Sequence, residues 1–101
     1  MSEVTSAFQV EDERWMPVGS LTMDCVANVL AASSEAPLPA TGIVDLERVE
    51  AVDSAGVALL LAWKRRAAAE GKPMTFAHIP PSMASLAQLY GVDELLVADP
   101  V

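Results

Sequence analysis

Two short runs rich in apolar residues, Ser6–Val10 and Arg14–Val18, flank the polar turn Glu11-Asp12-Glu13. This pattern predicts a β-hairpin, with Gly19-Ser20 closing its second strand. Helical spacing takes over afterwards. Thr22 occupies an N-cap position, Met23, Val26 and Leu30 follow on one stripe, and Asp24 falls in the first turn, where the helix dipole favours a carboxylate. A helix over Met23–Ser34 is expected, with Cys25 half-buried on it. "EAPLPATG", residues 35–42, combines two prolines with a glycine and reads as a loop. Ile43-Val44-Asp45-Leu46 is a strand, and Val49 and Val52 carry the apolar path on to a long helix from about Ala55 to Glu70, stopped by Gly71 and Pro73. Met74–Ala77 is a further strand. Pro80-Pro81-Ser82 opens a last helix that runs to Tyr90 and ends at Gly91, and Leu95-Leu96-Val97 reads as a final edge strand. The order ββαβαβα(β) predicts one α/β domain over residues 1–101, with a small mixed sheet: an antiparallel hairpin, then strands made parallel by their crossover helices.

The long helix has two unlike faces. At about 100° per residue, Gly56, Leu60, Trp63 and Ala67 share a stripe expected to lie on the sheet, with Gly56 allowing close backbone approach. The opposite side carries Ser54, Ala58, Leu61, Ala62 and Arg65, with little polarity before Arg65. Two readings fit that side. It is ordinary exposed surface on an alanine-rich helix, or it is an interaction patch whose small residues admit a partner while Leu61 anchors it. Asp53 or Ser54 would cap the helix, which places Ser54 on the rim of the patch. Tyr90 also has two readings: a contact added from the last helix, or core, with Met83, Leu86 and Ala87 at helical spacing.

Charge and composition narrow the function. Six basic against fourteen acidic residues give a net charge of −8, which opposes nucleic-acid binding and attraction to anionic membranes. The only basic cluster, Lys64-Arg65-Arg66, reads as a solvated helix segment. The longest apolar run, Val57 to Trp63, is far short of the roughly 20 residues that span a bilayer, and the N-terminus lacks the pattern of a signal peptide. A soluble cytoplasmic protein without direct membrane insertion is expected. One cysteine and one histidine (His78) exclude an internal disulfide and an ordinary structural zinc site. Ser54, His78 and Asp53 could name a hydrolytic relay, but adjacent Asp53 and Ser54 are poorly placed for one and no G-x-S-x-G elbow surrounds Ser54. No phosphate-binding G-x-x-x-x-G-K-[ST] loop is present, so no cofactor is assigned.

Ile43-Val44-Asp45-Leu46, then Val52-Asp53-Ser54-Ala55-Gly56-Val57, then the aliphatic helix ending at Gly71-Lys72, resemble the STAS domain family (sulfate transporter and anti-sigma-factor antagonist domains). Val18-Gly19-Ser20-Leu21 before the first helix agrees with it, and the resemblance extends over nearly the whole chain. "VDSAGVALLL" and "LAQLYGV" look most like the short MlaB group, the cytoplasmic STAS subunits of bacterial Mla phospholipid ABC transporters, which maintain outer-membrane lipid asymmetry. The resemblance implies no catalytic centre. It implies that Ser54 is the candidate phosphorylation site and that the neighbouring helix face docks on the partner; with the outer face read above, the candidates for partner contact are Asp53, Ser54, Ala58, Leu61, Ala62, Arg65 and, joining from the last helix, Tyr90. The partner implied is an ABC transporter ATPase, or alternatively an anti-sigma kinase released by phosphorylation of Ser54. Two departures weigh against the kinase switch: antagonists commonly carry a second serine where Ala55 stands and an aspartate where Thr22 stands.

Overall fold

Asp12 and Glu13 both take left-handed backbone angles (φ 53° and 61°), the combination a two-residue type I′ turn needs. That turn folds β1 (Phe8–Glu11) antiparallel onto β2 (Arg14–Pro17), pairing Glu11 with Arg14. The computed structural model describes residues 8–92; the expected strand residues Ser6 and Ala7 and the edge strand Leu95–Val97 lie outside them. From β2 the sheet continues in parallel through β4 (Ile43–Asp45) to β6 (Thr75–Ala77), giving the order β1-β2-β4-β6. The inner strand β2 buries Trp15, Met16 and Pro17 in succession, as a strand covered on both sides must.

Two short strands correct the sequence reading. Gly19-Ser20 does not close the hairpin but begins β3 (Gly19–Leu21), and Val49–Val52 is a strand of its own, β5. These pair in parallel as a separate two-stranded sheet, with Leu21 opposite Val52. The order among the described residues is therefore βββαββαβα. The three helices are α1 (Val26–Ser34), α2 (Ser54–Ala69) and α3 (Pro81–Leu89), and α3 opens with the expected proline.

α1 starts three residues later than Thr22 and Met23 suggest. Thr22 supplies its backbone carbonyl to the Cys25 and Val26 N–H groups rather than a side-chain cap, and Cys25, half-buried, is the N-cap residue. Asp24 consequently lies ahead of the first turn. The buried residues of α1 are Val29 and Ser33, whereas Met23 and Leu30 are exposed, so the stripe read through Met23, Val26 and Leu30 is not the core face.

The stripe on α2 is as expected: Gly56, Leu60, Trp63 and Ala67 are all buried. Trp63 meets Trp15 edge-on at 5.2 Å, and Trp15 meets Phe8 at 5.1 Å. Full burial of large apolar side chains contributes about 1.5–3 kcal/mol each, so this cluster fixes α2 on the sheet. Its polar edges are satisfied, with Trp15 Nε1 donating to the Pro37 carbonyl and Trp63 Nε1 to Ser33 Oγ at 2.8 Å. Nor is the basic run simply solvated. Arg66 turns inward, donating to the Ser33 and Ala36 carbonyls at the end of α1 and pairing with Glu70, while Lys64 Nζ donates to the Met74 carbonyl at 2.7 Å. Carbonyls left over at the end of a helix need such donors. Of the three, only Arg65 is exposed.

Candidate functional site

The entrance to α2 is built where β3 and β5 end together. Asp53, extended at φ −137° and ψ −166°, continues the pairing by donating its N–H to the Leu21 carbonyl at 3.3 Å and then caps the helix. One oxygen of its carboxylate, Oδ1, accepts the Ala55 N–H at 2.8 Å. The other, Oδ2, accepts the Met23 N–H at 3.0 Å, thirty residues away in sequence. A single side chain thus ties the segment entering α1 to the first turn of α2. The Met23 N–H, followed by those of Ala55 and Gly56, holds the Asp53 carboxyl below the ordinary aspartate value.

Gly56 sits where α2 touches the end of β3. A Cβ there would stand 2.4 Å from the Leu21 carbonyl oxygen and 3.1 Å from Leu21 Cβ. Glycine is required by this approach. The capping question also resolves: Asp53 caps, and Ser54 is the first helical residue, exposed, its hydroxyl forming no hydrogen bond to the described residues.

From Ser54 the outer face of α2 runs through Ala58, Leu61, Ala62 and Arg65 at helical spacing. Ser54, Ala58 and Arg65 are exposed, Ala62 is half-buried, and Leu61 is half-buried against the core. One surface therefore presents these five residues together. Tyr90 is not core: it is 50% exposed at the C-cap of α3, while Met83 and Ala87 are buried. Large apolar exposure that the sequence does not single out occurs at Met23 (75%) and Leu89 (76%). Met23 lies between Thr22 and Asp24 and Leu89 follows Gln88, so neither belongs to an apolar run that would draw notice in the sequence.

His78 lies just past β6 with a left-handed φ of 57°, and its Nδ1 is 2.9 Å from Asp45 Oδ1. Asp45, 1% exposed, also accepts Arg14 Nη1 at 2.8 Å and the Glu47 N–H at 3.0 Å. Burial pushes the Asp45 carboxyl up, but the His78 hydrogen bond, the Glu47 N–H and the charges of His78 and Arg14 outweigh it, so the group sits below its ordinary value. Glu47 brings a third potential metal ligand within 4.8 Å of the other two. The oxygens of Asp45 are already occupied by donors, one of them a guanidinium, so the arrangement reads as an ion-pair network that anchors the turn after β6. The partner of His78 is Asp45 rather than Asp53, and Ser54 hydrogen-bonds neither. No relay joins the three residues.

A family model described as "Mlab, STAS domain" matches residues 18–98. The chain belongs to the STAS-domain family, of the MlaB type. No curated protein matches it in sequence. Among solved structures, this STAS domain is similar to a candidate anti-sigma factor antagonist from Thermotoga maritima, with a TM-score of 0.74 at 13% identity over 100% of this chain and 92% of that one. It is also similar to the anti-sigma factor antagonist SpoIIAA in its unphosphorylated form, with a TM-score of 0.68 at 22% identity over 93% and 89% of the two chains. At these identities the likeness is one of fold. Among the described residues, no helix is long and apolar enough to cross a membrane.

Within the STAS signature each residue has a separate task. Val52 ends a strand, Asp53 clamps two helix entrances, Ser54 is presented outward, and Gly56 allows the close contact. The clamp predicts a pH signature. A carboxyl with a depressed folded-state pKa contributes stability above its unfolded value, and that contribution disappears as pH falls through the folded value. Asn at position 53 keeps one acceptor oxygen but presents an amide donor to one of the two N–H groups. Asp53→Asn should therefore lower the urea midpoint near pH 7, and the gap to wild type should shrink as pH drops below the ordinary aspartate range of about 4. Denaturation curves measured across that window check it; a gap that does not depend on pH would mean that charge has no part in the clamp.

Proposed function

We propose that this chain is a non-catalytic STAS interaction subunit, a single domain over residues 1–101, that binds and stabilises the ATPase of an Mla-type phospholipid ABC transporter maintaining outer-membrane lipid asymmetry. It acts in the cytoplasm, held at the inner membrane through that complex and needing no cofactor. The observation that carries the reading is the outer face of α2, where Ser54, Ala58, Leu61 and Ala62 present small and aliphatic groups with no charge before Arg65. The MlaB-type match supports it. Asp53 takes part by holding the rim in place, and Tyr90 and Leu89 offer additional apolar contact from α3.

A second reading, an anti-sigma-factor antagonist released by phosphorylation of Ser54, is favoured by one observation: the Ser54 hydroxyl is exposed and unengaged at the N-terminus of a helix, where a phosphate is electrostatically tolerated. A phosphate there adds about −1.5 to −2 charges to a surface that otherwise docks through apolar groups. The fold accepts that charge; an apolar interface does not.

Titrating two variants against the purified ATPase separates the readings. Ser54→Asp should fold normally yet bind about tenfold or more weakly, because a tenfold loss needs only about 1.4 kcal/mol and an unpaired desolvated charge costs at least that. Ser54→Ala should bind nearly as well as wild type, since constitutive docking does not use the hydroxyl. Tight binding by Ser54→Asp would remove Ser54 from the interface. No binding of the ATPase by wild-type protein, with capture of a serine kinase that modifies Ser54, would establish the antagonist instead.

A further inference from the structure

The outer face of α2 does not end at the patch described above. A shallow depression lined by Leu61, Lys64, Arg65 and Ala68 adjoins a second lined by Lys64, Ala67, Ala68, Lys72, Pro73 and Met74. Lys64 and Ala68 line both, so the two depressions together form a shallow, interrupted groove along the C-terminal half of α2 and over the turn that follows it.

Its charges set it apart on a chain of net charge −8. Arg14 and Arg48 are paired with carboxylates, and Arg66 is engaged by Glu70 and the end of α1. Lys64 is anchored on the Met74 carbonyl, with its Nζ 6.0 Å from the centre of the Phe76 ring. Arg65 and Lys72 are different: both are exposed, and neither forms a hydrogen bond or ion pair with the described residues. Glu70, the carboxylate nearest in sequence, is turned to Arg66. Two unneutralised cations thus flank an apolar floor made by Leu61, Ala68 and Pro73.

We propose that this groove docks an acidic amphipathic segment of a partner protein, with one or two large apolar side chains seated on that floor and carboxylates reaching Arg65 and Lys72. The proposal rests on the docking role of α2, because the groove is continuous with that face through Leu61 and Arg65. Charge complementarity selects the occupant. Apolar contact supplies affinity, while the two cations select acidic segments and repel basic ones. An anionic bilayer also carries negative charge, but a broad lipid surface would meet the acidic remainder of the chain as well as these two cations.

Selection of a displayed library of random dodecapeptides on the immobilised full chain tests this without presupposing a partner. Enriched sequences should combine Asp or Glu with at least one Leu, Ile, Phe or Trp. The synthetic peptides should weaken about tenfold or more against Arg65→Glu/Lys72→Glu, whose melting temperature should stay close to wild type because both side chains are exposed. Ala68→Glu, at the shared floor, should give the same loss. Enrichment of basic or purely polar peptides, no enrichment, or equal binding to the variants would overturn the proposal. So would binding to phosphatidylglycerol vesicles that depends on Arg65 and Lys72 in the absence of any peptide binding. Assaying ATPase capture by Lys72→Glu and Leu61→Arg in parallel keeps the two ideas distinct. Capture lost only with Leu61→Arg, together with failed peptide selection, would overturn the acidic groove and leave the docking face standing.

Discussion

Replacing Gly56 with alanine is expected to destabilise the domain by about 3 kcal/mol, although by helix propensity alone the change should stabilise it by roughly 1 kcal/mol. The added methyl would stand 2.4 Å from the Leu21 carbonyl oxygen, closer than such carbon atoms come; the oxygen belongs to the backbone, and the methyl is held in place by the helix backbone it is bonded to. Neither can rotate away. Relief requires α2 to lift from β3, yet the same Leu21 carbonyl accepts the Asp53 N–H, and Asp53 holds both helix entrances. Displacement would therefore break the junction as well as the contact. For a domain of this size, about 3 kcal/mol lowers the melting temperature by roughly 12–24 °C. Thermal unfolding followed by circular dichroism measures it. A variant that melts at or above the wild-type temperature would show that the α2–β3 contact yields easily, and that Gly56 is not fixed by packing.

The role of Gly56 was legible as a need for close approach, but the element that approaches was not. β3 and β5 are only three and four residues long, and what makes them strands is their pairing with each other across the first helix, Gly19 with Val49 and Leu21 with Val52. Local pattern carries no trace of such a partner: Glu50 and Ala51 are exposed between Val49 and Val52, which breaks simple alternation. The start of α1 at Val26 is hidden from the sequence for a related reason. Thr22 has the right chemistry for a cap, but the acceptor that satisfies Met23 is the carboxylate of Asp53, supplied by another element. Arg66 was legible as a charge and not as a direction; its donors point at the end of α1 because the packing of Trp63 and Trp15 brings that end within reach. Longer elements carry their own signal. Over the sixteen residues of α2 the helical period alone sorts Leu60 inward and Ser54, Ala58 and Arg65 outward. Tyr90 sits at the very end of its helix, where a continued stripe no longer implies burial.

Leu61→Arg should abolish co-purification with the ATPase while leaving the isolated domain folded. Leu61 is half-buried and packs its inner side on the core, whereas its neighbour Leu60 is fully buried. An arginine can lay its aliphatic stem over the same apolar surface and keep its guanidinium in water, so the isolated domain should lose only about 1 kcal/mol of burial. A domain with the usual stability of roughly 5–15 kcal/mol survives that. Docking changes the balance. Once a partner closes over Ala58, Leu61 and Ala62, the new charge must leave water with no carboxylate provided for it, and Arg65, four residues on, adds like-charge repulsion. A loss of about 3–5 kcal/mol is expected for an uncompensated buried charge, equivalent to more than a hundredfold in affinity. Co-expression with a tagged ATPase, followed by quantification of the bound subunit and by melting of the variant alone, checks both halves. Retained binding would place the interface elsewhere on the domain. A collapse of the melting temperature would instead assign Leu61 to the core, and the exposed Ala58→Arg would then serve as the charge probe of the same face.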